Sequence, residues 1–228
     1  MDKVPTVSDT KRSFYKTHSR PINSIYRRVV EELMVEMHLL GVNVDFQYDS
    51  IYALGVVSSF DRFMSGYRPE ADKASIFQAL CQALGKDPQQ YRRDAQSLES
   101  WATQVSPSTA LGVLGLENSS EESREVEATV RAIAANPHFK YSRLFAIGLY
   151  SLLELADADF VKENSKLEEI LKPISKALNL SAEKLQKDLE LYRSNLEKMA
   201  QAKIVMDDIL KADRKKREQR ESAKTADG

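Results

Sequence analysis

SRPINSIYRRVVEELMVEMHLLG, residues 19–41, decides the fold. Ile22, Ile25, Tyr26, Val29, Val30, Leu33, Met34, Met37 and Leu40 recur at steps of three and four residues, which places them on one broad apolar face of an α-helix. Pro21 near the first helical position and Gly41 after the last punctuate it. The same grammar continues downstream. Asp49 caps a second helix over residues 50–64, which Gly66 ends. Pro69 opens a third, with Ile76, Phe77, Leu80, Cys81 and Leu84 as its buried stripe before Gly85. Asp87-Pro88 starts a fourth that buries Tyr91, Ala95, Leu98, Trp101 and Val105.

SPSTALGVLGLENSS, residues 106–120, mixes turn formers with a short apolar strip and reads as a loop or hinge with room for one helical turn. From Ser120 a helical pattern resumes through Val126, Val130 and Ile133 to Pro137. Residues 141–155 are apolar on nearly all sides, which places them at the centre of a bundle, where Gly148 permits a close helix approach. Residues 76–98 align without gaps to residues 170–192. Ile76, Ala83, Leu84 and Asp94 match Ile170, Ala177, Leu178 and Asp188, a similarity that a duplication and two independent capped helical hairpins explain equally well.

Ser181 begins a stretch without glycine or proline that runs to about Arg220, roughly 60 Å if straight. Leu185, Leu189, Tyr192, Leu196 and Met199 alternate at steps of four and three. Lys203 interrupts the series, and Met206 and Leu210 resume it, as in a coiled coil. The expectation is an all-α, irregular helical bundle with a long C-terminal coiled-coil-like helix. Its parts are a basic N-terminal segment (1–18), a bundle (19–180), a helical arm (181–220) and a disordered tail (221–228). Along the arm, Met206, Ile209 and Leu210 are candidate contacts for another protein, because an exposed helix of this length needs a partner for its apolar seam.

Composition narrows the function. Hydrophobic residues make up 42% and charged residues 29% of the 228, and the net charge is −1, so only a local patch can supply electrostatic attraction. No apolar run approaches the roughly 20 residues a membrane-spanning helix needs. The acid-bearing N-terminus has no apolar core and resembles neither a secretory signal nor a transit peptide. Cys81 is the only cysteine, which leaves no intramolecular disulfide and makes a small buried side chain the expected role.

Motifs for chemistry are missing. There is no Gly-x-Gly-x-x-Gly after a strand, no phosphate-binding Gly-Lys-Ser/Thr loop and no Gly-x-Ser-x-Gly elbow. Glu32, Glu36 and His38 come nearest to a metal set, but Glu36 and His38 are one residue too close for Glu-x-x-His, so His38 is expected at the surface. Glu31-Glu32, Glu121-Glu122 and Glu168-Glu169 read as solvated helix faces. Catalytic, metal and cofactor sites are therefore not expected. Residues 1–28 instead carry seven basic side chains against two acidic ones, interleaved with Phe14, Tyr15 and Tyr26. Lys11, Arg12, Phe14, Tyr15, Lys16, Arg27 and Arg28 are the candidate binding residues there. Arg214 to Arg217 forms a second basic cluster, read as a solvated helix end. Basic residues among aromatics suit an acidic protein surface, anionic lipid or nucleic acid, and a helical nucleic-acid-binding protein is the alternative to a protein-binding factor.

TVSDTKRSFYKTHSRPINSIYRRVVEELMVEMHLL, with Tyr48-Asp49, Ala53-Leu-Gly-Val-Val and Phe60-Asp-Arg-Phe-Met-Ser-Gly-Tyr-Arg-Pro-Glu, resembles the thylakoid formation protein family across essentially the whole chain. The resemblance implies an all-helical fold without catalytic activity and peripheral association with the cytoplasmic side of thylakoids. It also implies a part in the accumulation of FtsH-type membrane proteases, and so in photosystem II assembly and repair. Chloroplast members carry a transit peptide, so a cyanobacterial-type member is expected.

Overall fold

A computed structural model describes the backbone of residues 4–117 and 120–226, with side chains through residue 212 except at 207 and 210. Among the described residues the regular elements are all helical. In chain order they are α1 (Val7–Thr17), α2 (Ser24–Gly41), α3 (Ser50–Phe63), α4 (Asp72–Ala83), α5 (Pro88–Gln104), α6 (Pro107–Leu114), α7 (Arg124–Ala135), α8 (Arg143–Ala156), α9 (Asp159–Lys162), α10 (Asn164–Ala177) and α11 (Ala182–Ala226). A 3-10 turn, Glu121–Ser123, precedes α7. The chain divides into two compact units, 1–190 and 191–228, and the division falls within α11.

In the first unit α3 and α8 form the central pair. α5 packs on both, and α1 lies against α2 and α4. The expectation for residues 141–155 holds: Leu144 through Leu153 of α8 are all buried. In α3, Ile51 through Phe60 are buried as well, because helices cover it on more than one side. Gly148 meets Gly55 at the crossing, where neither position has room for a Cβ. Leu185 and Leu189 bury the first turns of α11 in this unit.

Several local features depart from the sequence reading. The basic segment before residue 19 contains a full helix, α1. Thr6 starts it with a capping box: the Asp9 amide donates to Thr6 Oγ1 at 3.2 Å, and the Thr6 amide donates to Asp9 Oδ2 at 3.0 Å. α2 begins at Ser24, because Asn23 accepts from the Ile25 amide at 3.2 Å and so sets the cap. Residues 107–114 form two turns of helix, with Ser106 capping and Pro107 in the first turn, where a missing N–H costs nothing. His38 is buried, its Nδ1 2.9 Å from Thr10 Oγ1, so it ties α1 to α2 instead of facing water. α11 continues through Ala226, six residues into the stretch 221–228 expected to be disordered, and Asp227 and Gly228 lie outside the described residues. Cys81 is buried as expected, and burial pushes its thiol up to about 12.

Candidate functional site: a charged groove along α2

The basic and aromatic residues of the N-terminus separate into distinct roles. Phe14 is fully buried, edge-to-face with Tyr15 at 5.0 Å, so it anchors α1 and offers nothing to a partner. That corrects the expectation that it is a contact residue: the i, i+4 spacing from Thr10 turns it inward with the buried stripe of α1. Lys11 and Tyr15 converge on one carboxylate. Lys11 Nζ donates to Glu31 Oε2 and the Tyr15 hydroxyl to Glu31 Oε1, each at 2.7 Å. The bonds from Lys11 and then Tyr15 hold the Glu31 carboxyl below its ordinary range. Burial, followed by the bond to Glu31, pushes the Tyr15 phenol up to about 12. Arg12 makes a long pair with Asp9 at 3.6 Å, and its side chain and that of Lys16 are exposed.

Arg27, Arg28 and Lys11 line a groove of about 900 Å³ along the outer face of α2, together with Ser24, Glu31, Glu32, Val35, Glu36, Leu39 and Arg143. A second hollow of about 460 Å³ shares Glu36, Leu39 and Arg143 with it, adding Lys140, Tyr141, Lys184 and Asp188. Each carboxylate in these walls already has a donor. Beyond Glu31, Arg28 Nε binds Glu32 at 2.8 Å and Arg143 binds Glu36 at 2.6 Å. The Tyr141 hydroxyl binds Asp188 at 2.8 Å. Burial works against the charge of Arg143, but Glu36, with Asp188 and Glu32 in support, outweighs it and the guanidinium pKa is raised. Lys184 Nζ sits over the Tyr141 ring at 4.9 Å. Among the described residues, Arg27, Lys140 and Lys184 have no carboxylate within ion-pair distance.

Leu39 is 57% exposed at the point the two hollows share, and Val42 and Val44 are exposed just beyond it. The sequence reading missed Val35, Leu39, Lys140 and Arg143. Leu39 and Val35 lie outside the inward face of α2, and that is the available signal: apolar residues at angles where water is expected. Lys140 and Arg143 are distant in sequence and join the groove only through tertiary packing.

In the second unit, Ile209 is 56% exposed on α11, as are Ile204 at 62% and Val205 at 58%. Met206 is half-buried and has interactions of its own. Leu210 and the basic cluster Arg214 to Arg217 lie outside the described side chains. Among the described residues no group of three or more His, Cys, Asp or Glu is placed to hold a metal ion. Nor, among them, is any helix long and apolar enough to cross a membrane.

The described residues thus form a helical bundle that carries a charged groove, with Val35 and Leu39 in its lining, along α2. The chain is a member of the thylakoid formation protein family, whose model matches residues 6–221. It is 59% identical over 226 residues to Protein Thf1 of Nostoc punctiforme, covering 99% of this chain and 96% of that one. To Protein Thf1 of Gloeothece citriformis it is 60% identical over 222 residues, covering 96% and 97%. A solved structure of Psb29 superposes with a TM-score of 0.81 at 45% identity, covering 93% of this chain and 98% of that one. Those Thf1 sources are cyanobacteria, in line with the expected type of member.

Proposed function

We propose that the protein is a non-enzymatic accessory factor for thylakoid biogenesis and photosystem II assembly and repair. It acts by binding and stabilising FtsH-type protease complexes from the cytoplasmic side of the thylakoid membrane. The observation that carries this reading is family membership over residues 6–221. The groove along α2 and the exposed apolar residues of α11 supply two surfaces of the kind a binding factor needs. The nucleic-acid alternative gains no support, since Glu31, Glu32 and Glu36 stand in the same walls as the cations and oppose a phosphate backbone.

The test is affinity isolation of the tagged protein from thylakoid membranes, with mass spectrometry of what is recovered. FtsH-type subunits enriched over an untagged control support the reading. Recovery of ribosomal or nucleoid proteins alone would overturn it.

A further inference from the structure

We infer that the groove along α2 takes an amphipathic, acidic helix of a partner protein. The inference rests on the reading that this chain works by binding another protein, and it names the chemistry of that partner. Val35 and Leu39 are one helical turn apart, so their side chains stack along the groove floor and suit apolar residues at i and i+4 of an incoming helix. Leu39 already exposes more than half of its surface.

The rim sets the partner's charge. Every carboxylate of the groove is held by a donor of this chain, whereas Arg27, Lys140 and Lys184 have no carboxylate within ion-pair distance among the described residues. Arg27 lines the larger hollow and Lys140 and Lys184 the smaller one, and Leu39 belongs to both. A helix with leucines on one face and acids beside them meets the floor and all three cations together. A flat anionic bilayer cannot enter the recess, and a continuous run of negative charge meets the carboxylates of the walls. Discrete acids spaced along a helix avoid them.

Fluorescence anisotropy on the full chain tests this with a labelled synthetic peptide of leucine and glutamate at helical spacing, about four turns long. The comparison probes are its lysine-for-glutamate counterpart, a poly-glutamate peptide of equal length and phosphatidylglycerol vesicles. The expected result is saturable binding of the leucine–glutamate peptide alone, weakened by salt. Arg27→Glu combined with Lys140→Glu should weaken it about tenfold or more, and Leu39→Ser by a similar factor. All three residues are exposed, so circular dichroism should not change. If the charge reversal does perturb folding, Leu39→Ser and the salt titration of the native chain decide. Equal binding of poly-glutamate, vesicle binding that depends on the same residues, or no peptide binding each overturns the inference. Peptide binding that persists while affinity isolation recovers no protease would sink the functional reading and leave the groove's specificity standing.

Discussion

Gly55 of α3 and Gly148 of α8 face each other where the two helix backbones approach so closely that neither position has room for a Cβ. A Cβ on Gly55 would lie 1.7 Å from the Leu144 carbonyl oxygen and 2.9 Å from the Gly148 nitrogen. One on Gly148 would lie 1.9 Å from the Ile51 carbonyl oxygen and 3.0 Å from the Gly55 nitrogen. The obstacles are backbone atoms, which no rotamer change can clear. Gly55→Ala and Gly148→Ala must each push the central helices apart, at a cost of about 3 kcal/mol or more. The melting temperature should drop by roughly 10 °C for each. The double variant should cost less than the sum, because the first methyl already opens the crossing. A thermal melt followed by circular dichroism checks this, and a loss below about 2 °C in both would mean the helices are not held at this distance.

Trp101 Nε1 donates to Ser123 Oγ at 3.0 Å in a buried site, fixing α5 to the turn before α7. Ser123→Ala leaves the indole N–H without that acceptor, a loss of about 1–3 kcal/mol. Trp101 is the only tryptophan, so its emission reports this contact directly. In a Trp101→Phe background the serine substitution should cost markedly less, since the orphaned donor has gone. Equal costs in both backgrounds would assign the effect to Ser123 itself, which also accepts from Ser120.

Much of this fold is legible in the sequence because its signals are local. Asp49, Asp87 and Ser142 cap helices by bonds to amides two or three residues away, and apolar steps of three and four mark the inward faces. Gly148 could be read as a close approach, but its counterpart Gly55 could not, since only the crossing pairs them. α1 escaped because its charged residues suggest a solvated segment, although Thr6, Asp9, Thr10 and Phe14 held the cap and the buried stripe. The groove was half legible. Its N-terminal cations stand out by composition, whereas the exposure of Leu39 and the arrival of Lys140, Arg143 and Lys184 depend on how α8 and α11 pack.

His18 is buried, with Nδ1 3.2 Å from Ser75 Oγ, Phe14 beside its ring, and Asp72 and Arg20 near enough to act on its charge. Burial lowers its pKa, partly opposed by Asp72. The unfolded chain therefore binds this proton at the ordinary imidazole value of about 6.5, and the folded chain only at lower pH. Between the two the unfolded state holds more protons, so stability rises with pH and is lost as pH falls below about 6.5. Buried Asp49, its carboxyl pushed up to about 6, contributes in the opposite direction over the lower part of this range, so the readout is a difference: in urea melts from pH 7.5 to 5 the native chain should lose stability relative to His18→Asn, which keeps a partner for Ser75. Parallel pH profiles for the two proteins would place the titrating group elsewhere.

Charge reversal separates binding from packing at the N-terminus. Arg12, Lys16 and Arg27 are exposed, so changing all three to glutamate should leave helicity and melting nearly unchanged while reducing recovery of the protease from membranes. Lys11→Glu should behave differently, because it sets a second carboxylate against Glu31 and loosens α1 from α2, lowering stability by about 1 kcal/mol. If the triple reversal melts early and Lys11→Glu does not, the assignment of roles is inverted.

Val205 and Ile209 lie one turn apart on α11, on a single face, with 58% and 56% of their surfaces in water. Exposed apolar side chains in that arrangement contribute little to the isolated chain, since burial is what makes them stabilising. Changing both to serine should shift stability by no more than about 0.5 kcal/mol. Met206 is left intact because it is half-buried and has interactions of its own, which would confound the readout. If this face docks on a partner, the double variant should pellet less with thylakoid membranes and recover less protease at unchanged melting temperature. A fall of many degrees would mean the face is packed within the folded chain, and unchanged recovery would leave the groove along α2 as the surface through which the protein acts.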